Sequence, residues 1–543
     1  MPCQKTLLAQ SFFFFQKKPP ILLDRLSTLM VEAICLKRKS LMLKFALPIS
    51  PPSKIQGLVA GNLSDGGGEE IPIIYPATGE QISTLIEDDE QSVDKAVSAA
   101  RAAFDRGGWA NFSIEKRMEC LEACRQIILD NADVLARLEC AATGLVLREL
   151  RARHIERAAY NFRFFSEYIS QRRGERYDQA SAFITTVNRI PVGVAALVAP
   201  WNAPVALATM KIAAALAFGN TCILKPSEQT PLALAHLVQL LQDVLPEGVL
   251  NLVNGRGPIT GSSLVSHPEI DLVSFTGGTA TGREIMSAAG RNLVPCTLEL
   301  GGKSANIIFS SANQEQALDG ALIGIFSNNG QQCLAGSRIL VEENIFDDFV
   351  EKFIERTKLI RVGDPLDDDT EIGPLASESH MKRVLNFADV AQKEGGKLLT
   401  GGTRREDLGQ GFFIEPTAAL AATNESKVAQ QEIFGPFATF IKFSSVEEAI
   451  TIANDSEYGL VSYVWSDHLP TVTVASELLK SGVVWINTPM MRELRAPFGG
   501  VKSSGVGREG GEACERFYTE EKTISMPRSP ISLRKIGQEK SSL

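Results

Sequence analysis

One thiol, one carboxylate and one carboxamide stand where they could do covalent chemistry on a carbonyl. Cys333 follows Gly330-Gln331-Gln332, a polar, turn-like setting. The other eight of the nine cysteines sit mostly in apolar or helical contexts that read as core filler. Cys333 is therefore the candidate nucleophile. Glu299 ends an apolar run and is followed by Leu300-Gly301-Gly302-Lys303. Desolvation at a strand end raises a carboxyl group towards the range of a general base; the competing reading is a structural carboxylate bonded to backbone. Asn202 follows another apolar run, in Pro200-Trp201-Asn202. Its amide could donate to a developing oxyanion, or cap the helix that begins near Pro204.

Two further segments suit a nucleotide. Glu228 closes Lys225-Pro226-Ser227-Glu228 just past a second apolar run. An acid at that point binds ribose hydroxyls and repels a 2′-phosphate, which favours NAD over NADP. Lys225 could bond the same sugar, and a surface salt bridge is the alternative for the pair. Gly277-Gly278, followed by Gly282, would let backbone approach a pyrophosphate at a helix N-terminus, or form an ordinary turn.

These residues need elements to hold them. Short apolar runs at 192–199, 221–224, 249–253, 271–275 and 297–300 read as strands. Helical segments at 205–218, 230–244, 262–266 and 279–289 separate them. Apolar strands without alternation, spaced by helices, form a parallel sheet covered on both faces, with ligands at the carboxyl ends of its strands. A second α/β block over 304–503 has expected strands at 305–309, 338–341, 439–443 and 483–487. Its expected helices lie at 314–326, 345–356 and 446–453. Residues 49–69 read as a linker, 90–170 as helical, and the alternating tail 517–526 as a strand leaving the main body.

Composition narrows the classes. The chain has 543 residues, 44% hydrophobic and 22% charged, with net charge -9. That is a globular composition and a poor match to a general nucleic-acid or anionic-membrane binder. The odd cysteine count without a CxxC pair fits a reducing compartment, and the five scattered histidines have no metal-ligand spacing. No apolar run reaches the ~18–20 residues of a membrane span. Residues 1–50 are basic, with Asp24 and Glu32 as their acids, and read as an extension that is disordered or targeting. The expected location is cytoplasmic, or mitochondrial if the extension is a presequence.

Seven motifs in order resemble the aldehyde dehydrogenase superfamily over about residues 55–527. They are PWNAP (200–204), KPSE (225–228), FTGG (275–278), ELGGK (299–303), GQQC (330–333), EIFGPF (432–437) and PFGGVKSSGVG (497–507). FTGG departs from the commoner FTGS. The resemblance implies an α/β fold: a Rossmann-like NAD-binding domain (51–172 and 192–303), a second α/β catalytic domain (304–503) and a small β oligomerisation element (173–191 and 515–530). It assigns Cys333 as nucleophile, Glu299 as general base, and Asn202 with the Cys333 N–H as oxyanion hole. Lys211 and Glu509 match a proton-relay pair. Trp201, Gly277 and Gly278 would line the pyrophosphate site, Lys225 and Glu228 the adenosine ribose, and Glu432 and Phe434 the nicotinamide riboside. The implied cofactor is NAD, and the implied assembly a homodimer or homotetramer.

The run Met491-Arg492-Glu493-Leu494-Arg495-Ala496-Pro497 resembles hydroxymuconic semialdehyde dehydrogenases, as does Ile155-Glu156-Arg157-Ala158. That likeness implies Arg157 and Arg492 as a clamp on a substrate carboxylate. The alternatives are structural salt bridges at these arginines with a broad-specificity or betaine-type activity, or a non-catalytic protein retaining the fold.

Overall fold

Apolar runs too short for helices and buried on both faces become inner strands. The computed structural model describes residues 45–178 and 182–537. The reading of residues 1–50 as a disordered or targeting extension lies outside the described residues as far as residue 44. At its end Phe45 packs on Phe413 and Ile49 on the first core, so residues 45–50 belong to the folded body. Val194–Val198, Thr221–Lys225, Leu250–Leu252, Leu272–Thr276 and Cys296–Glu299 form one parallel sheet. Its second and third strands lie on one side of Val194–Val198, and its fourth and fifth on the other. The chain therefore reverses direction across the sheet beside its first strand. That switch point opens a crevice at the carboxyl ends of Val194–Val198 and Leu272–Thr276. Residues 201–202 and 277–278 leave those two strands at the crevice.

The sheet's edges recruit distant chain. Leu58–Val59 and Asn62–Leu63 extend one edge, and Gly505–Val506 pairs antiparallel with Cys296–Glu299 at the other. The first unit thus takes a strand from beyond residue 503. Helix Pro204–Ala217 covers the sheet. Proline suits its first turn, and its run of buried alanines permits close approach of neighbours such as Glu156–Ile169.

The second sheet has seven strands, against four expected. Ala305–Ile308, Arg338–Glu342, Phe437–Phe443 and Val483–Ile486 match expectation, and Lys397–Thr400, Thr417–Leu420 and Val461–Trp465 add to them. Helix Glu378–Lys393, also unanticipated, begins at a Ser377 cap whose side chain accepts the His380 N–H. The hairpin Glu70–Tyr75 and Glu80–Ile86 packs on both units: Ile73 and Leu85 join the first core, Tyr75 and Ala77 the second.

A third, three-stranded sheet joins Glu175–Tyr177, Phe183–Pro191 and Thr519–Pro527. The last two pair antiparallel along nine residues, from Thr519 opposite Pro191 to Pro527 opposite Phe183. Among the described residues, no helix is long and apolar enough to cross a membrane.

Candidate active site

The two large sheets meet at Glu299. It is the last residue of its strand, and Ala305 opens the first strand of the second sheet. The glycines between permit close approach. A Cβ on Gly301 would lie 2.4 Å from a Glu432 carboxylate oxygen, and one on Gly302 would lie 2.6 Å from the Cys333 carbonyl oxygen. Gly302 N–H donates to Glu432 Oε1 at 2.9 Å. Glu299 is buried, and neither of its carboxylate oxygens has a hydrogen-bond partner. A backbone-bonded structural carboxylate is therefore not what stands here. Burial pushes its proton affinity well up, and the Glu509 charge adds to the rise.

The loop carrying Cys333 is bent by two asparagines. Asn328 and Asn329 have φ of 56° and 55°, left-handed values that cost a non-glycine residue on the order of 1 kcal/mol each. Their amides hold the bend. Asn329 accepts from Gly373 N–H at 2.9 Å and donates to the Pro374 carbonyl at 2.9 Å. Asn328 Nδ2 donates to the carbonyls of Asn202 and Gln331, both at 3.0 Å. Asn202 Nδ2 donates to the same Gln331 carbonyl at 2.9 Å. The cap of helix Pro204–Ala217 is Ala203 and receives no side-chain bond, so Asn202 is not the helix cap. One Asn202 amide proton is held by the Cys333 loop in this bond, and the other is left free to donate elsewhere.

Cys333 is half-buried at the mouth of an apolar cluster containing Tyr463 and Trp485. Burial, and then the charges of Glu432 and Glu299, push its thiol up to about 12. The free protein therefore holds a protonated thiol.

A cavity of about 980 Å³ is lined by Cys333, Glu299 and Asn202, and also by Lys225 and Glu228. Gly277, Gly278, Trp201, Glu432 and Phe434 line it too. The cavity and its lining suit a dinucleotide. Gly278 caps helix Thr279–Arg291 without any side-chain bond, which leaves first-turn N–H groups for phosphate oxygens. Lys225 is buried and donates to its neighbour Pro226, with two ammonium protons to spare for sugar hydroxyls.

The remaining charged residues gather behind Glu299. Lys211 is buried, not on a helix surface, and donates to Glu509 Oε1 at 2.9 Å and to Ser274 Oγ at 3.0 Å. Burial pushes Glu509 up, but the charges of Lys211 and Arg492 outweigh it and hold the carboxyl below its usual range. Arg492 lies 3.9 Å from Glu509 and 3.8 Å over the Phe498 ring. Arg157 donates to Asn161 Oδ1 at 2.9 Å. Neither arginine lines the large cavity. Sequence reasoning missed Asn328, Asn329 and Gln331 as positioning residues. Their signal was the Asn-Asn-Gly run, the residue types that tolerate left-handed backbone.

The aldehyde dehydrogenase family model matches residues 63–524. The chain belongs to the aldehyde dehydrogenase family. It is an oxidoreductase that acts on aldehydes. Among similar proteins is the 5-carboxymethyl-2-hydroxymuconate semialdehyde dehydrogenase of Escherichia coli, 42% identical over 442 residues, covering 80% of this chain and 93% of the relative. An aldehyde dehydrogenase of Alternaria alternata is 39% identical over 461 residues, covering 84% of this chain and 92% of that one. Similar solved structures include HpcC from Thermus thermophilus, at TM-score 0.86 and 41% identity over 89% of this chain and 95% of its own. Betaine aldehyde dehydrogenase from Staphylococcus aureus, solved in complex with NAD+, has TM-score 0.86 and 38% identity over 89% of this chain and 96% of its own. For this aldehyde dehydrogenase, Asn202→Ala tests that side chain as a donor to the substrate oxygen. Its kcat is expected to fall about 10²–10³-fold, read as steady-state NADH formation at saturating aldehyde.

Proposed function

We propose that this chain oxidises a carboxylated semialdehyde, such as a hydroxymuconic semialdehyde, to its carboxylic acid with NAD as acceptor. The observation that carries the substrate class is the pair of guanidinium groups whose charges both act on Glu509, behind Glu299. Burial and the Arg492 charge hold Arg157 down to about 10, so each cation raises the cost of the other. Arg492 Nε is buried without a hydrogen-bond partner, and its charge acts on Cys333 and Glu299. A substrate carboxylate would neutralise the pair and supply the missing acceptor. The E. coli relative bears a carboxylated substrate in its name.

The chemistry proceeds on Cys333. Its sulfur attacks the aldehyde carbon, and the thiol proton is given up to solvent water. The oxygen that gains charge is stabilised by the second Asn202 amide proton. Bound NAD would be held by Lys225, Glu228, Gly277, Gly278, Glu432 and Phe434 along the cavity and would supply the hydride acceptor for the former aldehyde carbon. A thioester then remains on Cys333. Glu299 takes a proton from water, the hydroxide attacks the thioester, and the acid and the free thiol result. Lys211 and Glu509, hydrogen-bonded behind Glu299, provide a route for that proton. Glu228 at the cavity wall disfavours a 2′-phosphate and supports NAD over NADP.

A betaine-type activity has one observation in its favour, the aromatic side chains Tyr463, Trp485 and Phe498 beside Cys333. Aromatic faces attract cations. Here the Arg492 guanidinium already covers Phe498, and two cations would repel a third. The test is kcat/KM with 2-hydroxymuconate semialdehyde, succinate semialdehyde, betaine aldehyde and hexanal. Carboxylated substrates are expected to lead by about 10–100-fold, the worth of charge-assisted hydrogen bonds. Arg157→Ala and Arg492→Ala should remove that lead while hexanal turnover changes less. An unchanged preference in both variants would sink the clamp.

The third sheet supports self-association into a dimer or a dimer of dimers. Its strands expose Tyr177, Phe183, Ile190 and Met526, and an open strand edge invites a partner's sheet. Sedimentation velocity of the full chain distinguishes these states from a monomer.

A further inference from the structure

Phe434 holds φ at +62°, a left-handed value costing a non-glycine residue on the order of 1 kcal/mol. A backbone residue in such a state persists when its surroundings over-determine it. Helix Glu378–Lys393 does so here. His380 Nε2 donates to the Phe434 carbonyl at 2.7 Å. Arg383 Nη1 donates to the Ile433 carbonyl at 3.2 Å, and Nη2 to the Glu432 carbonyl at 2.5 Å. Two side chains one helical turn apart thus occupy three successive carbonyls. A carbonyl only accepts, so Nε2 carries the ring's hydrogen. Burial holds His380 down to about 4, which keeps the ring neutral at physiological pH. The ring also packs edge-on against Trp201, with centroids 5.1 Å apart, and Trp201 packs against Phe434 at 5.2 Å.

We propose that His380, assisted by Arg383, is a positioning residue that locks the Glu432–Ile433–Phe434 loop and so orients the nicotinamide half of the cofactor. This rests on the reading of Glu432 and Phe434 as the nicotinamide riboside site. The Glu432 carboxylate is tied separately, by the Gly302 N–H. Losing His380 therefore frees the Phe434 end of the loop and leaves the Glu432 end attached. With its carbonyl released, Phe434 can relax to negative φ, which swings its ring out of the cavity wall. The cofactor would still bind through its adenosine and phosphate contacts, but its reacting carbon would be poorly held.

His380→Ala is expected to lower kcat for NADH formation about 10–100-fold, the size of effect that an ångström-scale misplacement produces. The dissociation constant for NAD, read by quenching of tryptophan fluorescence, should change less than about threefold, because the adenosine and phosphate contacts remain. His380→Gln keeps an N–H donor and should recover most of the lost kcat. Arg383→Gln should fall between. Hydrolysis of p-nitrophenyl acetate at Cys333 needs no cofactor and should persist in all three variants, which reports that they are folded. The proposal is overturned if His380→Ala keeps wild-type kcat, if Gln is as impaired as Ala, or if ester hydrolysis falls in parallel with NADH formation. Should the wild-type chain form no NADH from any aldehyde, the functional reading fails first and the clamp with it.

Discussion

Cys333→Ala is expected to lose NADH formation by about 10⁴-fold or more, because the proposed mechanism builds its covalent intermediate on that thiol. The seven cysteines of the described residues include Cys120, Cys124, Cys140, Cys222 and Cys514, all buried. Cys296 is half-buried on the strand that ends at Glu299. It does not line the large cavity. Loss of activity in Cys333→Ala with retention in Cys296→Ala separates the two thiols. The raised proton affinity of Cys333 adds a second readout. With burial and the neighbouring carboxylates pushing the thiol up to about 12, the protonated form dominates at pH 7. Alkylation of Cys333 by iodoacetamide in the cofactor-free protein should be slower than that of free cysteine and should climb with pH. Undiminished NADH formation by Cys333→Ala would move the chemistry to another group.

Glu299→Gln should separate the two halves of the reaction. In the proposed mechanism thioester formation does not use this carboxylate as the base for water, whereas hydrolysis does. The variant is expected to give a burst of about one NADH per site and then a steady rate lowered about 10²–10⁴-fold. Rapid-mixing absorbance at 340 nm measures both phases; a wild-type steady rate in Glu299→Gln would remove Glu299 from the mechanism. The pH dependence has a definite sign. Burial raises the carboxyl above its ordinary value, so the wild-type hydrolysis limb should rise at a pH above the usual carboxylate range. The Gln variant should lack that limb. Stability runs the other way. The folded state binds the Glu299 proton more tightly than the unfolded chain does. This contribution is fully present below the unfolded value and is lost as pH rises through the folded one. Glu299→Gln should therefore melt at a higher temperature than wild type at pH 8, with the gap closing towards pH 5. The exchange of stability for a reactive, unpartnered carboxylate is a common feature of catalytic sites.

Much of the framework was legible because burial and period are local properties. The five strands of the first sheet fall within a residue or two of their apolar runs, since an inner parallel strand must be apolar throughout. The second sheet was read less completely. Thr417–Leu420 is Thr-Ala-Ala-Leu, and alanine carries little strand preference. Lys397–Thr400 is a partly exposed edge strand, antiparallel to its neighbour and interrupted by a bulge, so its pattern is blurred. Val461–Trp465 was legible, with two valines, a tyrosine and a tryptophan in five residues, and lies outside the four expected strands.

The sequence by itself determined which residue types stand at strand ends and in what order: Asn202, Glu228, Gly277, Glu299 and Cys333. Motif order then pointed to the family. What the tertiary structure decided is which of them touch. Asn202 spends an amide proton on a carbonyl 129 residues away, and Lys211 pairs with a carboxylate 298 residues away. His380 clamps a loop 54 residues downstream from a helix the sequence did not announce. Contacts of this kind follow from strand order and from how two sheets close on each other. Neither is written in a local window, because side-chain period reports burial and not the identity of the neighbour.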